Sequence, residues 1–95
     1  MKIFWLLILV NGFFCAFAQN LKVEKALYSN YLKGAFYTQE GNFRKALEEF
    51  QKAKKQDPNS IYIRLRIANI LVRLGDLVKA EKELKEAKKI DPNSF

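Results

Sequence analysis

Little in this chain is equipped to make or break a bond. Histidine, the commonest general base near neutral pH and a frequent zinc ligand, does not occur among the 95 residues, and Cys15 is the single cysteine. No glycine-rich phosphate loop, no cysteine pair and no serine beside a plausible base is present. Glu48 and Glu49 form the only adjacent carboxylate pair. Neighbours on a helix point about 100° apart, so these two cannot flank one substrate bond and read as surface residues. The sequence therefore predicts no enzyme, no metal site and no cofactor. What remains is the chemistry of recognition, carried by tyrosine, arginine, lysine and amide side chains.

The elements that position those side chains follow from an internal repeat. Leu27 to Ser60 aligns without a gap on Ile61 to Ser94, with 12 of 34 positions identical. Both copies end in Asp-Pro-Asn-Ser, at Asp57 to Ser60 and Asp91 to Ser94, and both have a mid-repeat Gly followed by Asn or Asp, Gly41-Asn42 and Gly75-Asp76. Ser60 can cap a helix running from about Ile61 to Leu74, and Gly75 can take the left-handed conformation that ends it. Asp76 can then cap a second helix from about Leu77 to Ile90, which Pro92 stops. Phe43, Ala46, Leu47, Phe50 and Ala53 in one copy, and Leu77, Ala80, Leu84 and Ala87 in the other, make a single apolar stripe on an otherwise charged helix. The paired alanines let two antiparallel helices approach, with Phe50 or Leu84 expected to fill the space beside them.

Gly34, Tyr37, Ala46, Phe50, Ala53 and Pro58 fall at spacings that resemble the tetratricopeptide repeat, a helix-turn-helix unit of 34 residues. The second copy keeps Ala80, Ala87 and Pro92 but has Ala68 for Gly, Leu71 for Tyr and Leu84 for the aromatic. The resemblance spans Leu27 to Ser94 and implies an all-α fold, a short right-handed α-solenoid of two repeats, 27–60 and 61–94, with 19–26 as a helical lead-in. It also implies a binding surface. First helices of such repeats line the concave face, which by position brings in Tyr28, Tyr31, Ala35, Thr38 and Gln39 from the first copy. Tyr62, Leu65, Asn69, Val72 and Arg73 come from the second. Some relatives grip a C-terminal carboxylate with a lysine and asparagines here; Tyr31 and Ala35 occupy two of those positions and only Asn69 matches, so no such clamp is expected. Tyrosines, an amide and an arginine instead suit a peptide or partner helix. The competing reading is that Tyr31 and Leu65 simply pack against a neighbouring helix.

The first eighteen residues follow a different logic. Lys2 precedes the apolar run Ile3 to Val10, and Ala16-Phe17-Ala18 before Gln19 has small residues where a signal peptidase inspects the chain. Cleavage after Ala18 and export to the periplasm or the extracellular space of a bacterium is the expectation. An uncleaved anchor in the inner membrane, residues 3–18, is the competitor, although it is broken by Asn11 and Gly12 and falls short of the roughly 20 residues that span a bilayer. Lipid attachment at Cys15 is disfavoured by the bulky Phe14 before it. Cleavage would remove Cys15 and Trp5 and leave a domain held by its apolar core alone.

Seventeen basic and ten acidic residues give a net charge of +7. The lysines of the second helices alternate with glutamates, and Glu48 to Lys52 and Glu81 to Lys85 have the four-residue spacing of helix-supporting pairs. The charge thus reads as a solvated outer face, and no nucleic-acid partner is expected. Phe95 falls where a third repeat would begin and Ile90 lacks a visible cover, which reads as a fragment of a longer array. Two functions follow: a module that binds a protein or peptide through the concave face, or an assembly protein whose repeats stack on further repeats or on a second copy as a homodimer. Membrane contact is expected only if the N-terminal segment is retained.

Overall fold

The computed structural model describes residues 21–94 apart from 23; the signal-peptide reading of 1–18 and the site of Phe95 lie outside them. The described residues form four α-helices and no strand. Helix α1 covers 24–39, with 21 and 22 also helical. It is followed by α2 (Phe43–Gln56), α3 (Ile61–Arg73), α4 (Leu77–Ile90) and a final 3-10 turn, Pro92–Ser94. Among these, no helix is long and apolar enough to cross a membrane.

Local chemistry sets the boundaries. The side chains of Asn42, Ser60 and Asp76 accept from the backbone N–H groups of Lys45, Ile63 and Lys79, each giving a partner to an amide that has none within its helix. Gly41 and Gly75 have φ of +75° and +83°. In each turn the glycine N–H bonds three residues back, to Thr38 or Val72, and the next N–H bonds five back, to Tyr37 or Leu71. That double bond pattern closes a helix with a left-handed residue. At the other ends Asp57 and Asp91, each preceding a proline, leave the helical region with ψ of 77° and 94°.

Helix α3 is the centre of the molecule, packed on both α2 and α4. Ile67 is fully buried and Ile63, Ile70 and Leu71 nearly so, against Ala46, Phe50, Ala53 and Ala80. Leu27, Tyr31 and Tyr37 of α1 close the other side of this core. Gly34 is buried against Phe50: a Cβ added there would lie 2.8 Å from Cε1 and 2.9 Å from Cδ1 and Cζ of the ring. The second repeat carries alanine at the matching position, Ala68, and has Leu84 in place of Phe50. The glycine thus makes room for the larger ring in the first repeat, and the second repeat combines a larger residue at the glycine position with a smaller one at the phenylalanine position.

Two expectations are corrected. Leu84 was expected to fill space beside the alanines as Phe50 does, yet it is 40% exposed and Phe50 1%. The difference is that α3 covers Phe50, whereas no described helix lies over the same side of α4. Lys52 pairs with Glu49 at 3.3 Å rather than with Glu48; Glu81–Lys85 forms as expected at 3.2 Å. The shortest ion pair among the described residues has no signature in local spacing. Glu83 on α4 meets Lys54 of α2 at 2.7 Å and Arg64 of α3 at 3.1 Å, with all three side chains largely buried. One carboxylate therefore ties the two repeats together.

Candidate functional site

The site begins with the tyrosines. Tyr31 of α1 is partly buried, its ring edge-on to Phe50 with centroids 5.6 Å apart. On its other side lies Tyr62, from the first turn of α3, at 5.8 Å. The phenol of Tyr62 is reached by Arg66 one helical turn along, whose Nη2 donates to the hydroxyl at 2.6 Å while its guanidinium lies 5.1 Å from the ring centroid. Tyr31 thus packs against the core through Phe50 and also meets Tyr62.

This trio is electrostatically uneven. Burial, then the Tyr62 hydroxyl beside it, pushes the Tyr31 phenol above the ordinary tyrosine range. The Tyr62 phenol is held below that range, first by the Tyr31 hydroxyl and then by the hydrogen bond from Arg66. Donating that same bond to Tyr62 raises Arg66. The two phenols of the cluster are thus shifted in opposite directions by the same close contact.

Beside it runs an apolar groove of about 910 Å³ between the start of α1 and the start of α3. Leu21, Leu27, Tyr28, Tyr31, Tyr62 and Ile63 supply its apolar walls, and Glu24, Lys25, Asp57 and Ser60 its polar edge. Leu21, Glu24 and Lys25 of the lead-in thus help build this groove, while Ile90 stays 37% exposed.

The remaining expected residues lie farther along the same two helices and do not line the groove. Leu65 and Val72 are 37% and 50% exposed, and Asn69 and Gln39 are exposed. Ala35 is half-buried. Thr38 is committed to its own helix, its hydroxyl donating to the Gly34 carbonyl at 2.8 Å. Arg73 is exposed, with its guanidinium 5.2 Å from the ring centroid of Phe43. Arg66 was not among the expected residues. Its signal was present in the sequence, four residues after Tyr62 on the same helix face, but an isolated arginine between leucine and isoleucine reads as an ordinary solvated charge.

Among the described residues no group of three or more histidine, cysteine, aspartate or glutamate side chains is arranged to hold a metal ion. A search of curated proteins returned no match. A family model described as tetratricopeptide repeat matches residues 37–94, more than half of the chain and the whole of α2, α3 and α4. With the paired helix-turn-helix units and their glycine turns, this match makes the chain a member of the tetratricopeptide-repeat family, whose domains are interaction modules that bind protein partners.

Proposed function

We propose that the protein is a non-enzymatic binding module, exported behind a cleaved leader, that holds a peptide or a partner subunit on the face formed by α1 and α3. The observation that carries this reading is the groove of about 910 Å³ with its tyrosine cluster, because apolar walls with a few oriented polar groups are what a bound segment requires. Tyr28 and Tyr62 are 65% and 54% exposed, large rigid surfaces that bury area on binding while losing little side-chain entropy. The test compares two double variants for the partner that co-purifies with the protein from the cells that make it. One pair, Tyr62→Ser with Leu65→Ser, alters the face; the other, Lys82→Ser with Lys88→Ser, alters the outside. Loss of the partner from the first pair alone is expected, and equal behaviour of both pairs would overturn the reading.

A second reading, assembly through the far side of repeat 2, is favoured by the exposure of Leu84 and Ile90, 40% and 37%. Identical copies would not stack head to tail in the repeat register. Lys33 sits 34 residues before the fully buried Ile67 and would enter an apolar site unpaired. A homodimer would instead join the two Leu84 surfaces about a two-fold axis. Sedimentation equilibrium separates the readings: a dimer abolished by Leu84→Glu supports assembly, and a monomer at all concentrations removes it.

A further inference from the structure

The arginines of this chain are not spread like its lysines. Of the four, three lie on α3, a helix with no acidic residue, and the fourth is Arg44. Arg64 is spent within the fold, bonded to Glu83 at 3.1 Å and to the Pro58 carbonyl at 3.0 Å. Arg66 and Arg73 are exposed, and among the described residues neither has a carboxylate within ion-pair distance. Yet both are held: Arg66 lies over Tyr62 and Arg73 over Phe43. An aromatic ring beneath a guanidinium fixes its plane and leaves N–H groups on its edge free for an acceptor. Tyr62, Arg66, Asn69 and Arg73 succeed one another at four, three and four residues and so share one stripe of the helix.

We propose that this stripe takes an acidic segment of a partner protein, with two of its side-chain carboxylates seated on Arg66 and Arg73. The inference rests on the reading of the α1–α3 face as the binding face. Charge complementarity selects the occupant, and arginine rather than lysine suits carboxylate, because the planar fork can hold both of its oxygens at once. Seven residues of helix separate the two arginines by about 10.5 Å. An extended segment of polyproline type presents side chains three residues apart on one side at about 9 Å, within reach of two flexible arginines. Asn69 lies between them and can bond the backbone of such a segment. Tyr62 and the groove beyond it would take apolar residues that flank the acidic pair.

The probe is a displayed library of random 12-residue peptides with their C-termini fused, so that no terminal carboxylate takes part, selected on the purified protein. The expected result is enrichment of Asp and Glu three residues apart, and an affinity for those peptides about tenfold weaker in Arg66→Gln with Arg73→Gln. Both side chains are exposed, so circular dichroism of that variant should match the wild type. Neutral peptides that bind the arginine variant equally but fail on Tyr62→Ser with Leu65→Ser would overturn the acidic partner and leave the binding face standing. Peptides indifferent to both pairs of changes, or none selected, would overturn both. A single-stranded 12-mer oligonucleotide that binds through the same arginines and displaces every selected peptide would overturn the proposal in favour of nucleic acid.

Discussion

Gly34→Ala is a change of one methyl group whose effect depends on the residue opposite it. In a helix interior alanine is favoured over glycine by about 1 kcal/mol. Here the new Cβ would stand 2.8 to 2.9 Å from three carbons of the Phe50 ring, which is 1% exposed and cannot move aside freely. Overpacking of this kind costs roughly 1–3 kcal/mol, so the net expectation is a loss of about 1 kcal/mol. Phe50→Leu alone should cost about 1–2 kcal/mol through lost burial and the space left behind. Made together, the two changes give the first repeat the residue types that the second has at the matching positions, Ala68 and Leu84. The methyl then fits, its helical preference is recovered, and the double variant should be more stable than Phe50→Leu alone, with a coupling of about 2 kcal/mol. Urea unfolding followed by far-UV circular dichroism measures all four corners of the cycle, and each kcal/mol should also move Tm by about 4–8 °C in a domain of this size. Strictly additive single changes, or a Gly34→Ala that stabilises in the presence of Phe50, would refute the packing argument.

Other perturbations probe different contacts. Glu83→Gln strands two mostly buried cations at the junction of the repeats and should cost about 1–3 kcal/mol in urea unfolding, whereas Glu81→Gln, whose pair is exposed, should change stability by less than about 0.5 kcal/mol. Ala80→Phe overpacks a 3% exposed contact and should lower stability by roughly 1–3 kcal/mol, so an unchanged melting temperature would show the helix pairing to be wrong. In a tyrosinate absorbance titration, one phenol, absent in Tyr62→Phe, should ionise below the ordinary tyrosine range and another, absent in Tyr31→Phe, above it. Arg66→Gln should move the first upward. Folding lowers the Tyr62 value and raises that of Tyr31. Ionisation of Tyr62 therefore favours the folded state as pH rises, and stability is lost as pH climbs on through the raised Tyr31 value.

What the sequence disclosed divides along physical lines. Turns and caps were legible because they are decided within four or five residues: Gly75 needs only its own freedom at positive φ, and Asp76 needs only the amide of Lys79. Contacts between repeats were not. Glu83 finds Lys54 and Arg64 at separations of 29 and 19 residues, and no local spacing rule reaches so far. The exposure of Leu84 is a property of what lies over α4, not of its apolar stripe, so the stripe alone suggested a burial that only Phe50 attains. At the site, the repeat register brought out the tyrosines and Arg73 by position. Arg66 did not stand out, because an arginine four residues after a tyrosine in a basic chain reads as a solvated charge, and its seat on the Tyr62 ring is visible only in the structure.

Whether the α1–α3 face holds a partner segment is decided by photo-cross-linking in the cells that make the protein. A photoreactive residue is placed at Asn69, midway along the arginine stripe, and in a separate variant at Lys82 on the outer helix α4. One discrete adduct is expected from position 69, mapping to an acidic stretch of the partner, and none from position 82. The same adduct from both positions, or one from position 82 alone, would contradict that expectation.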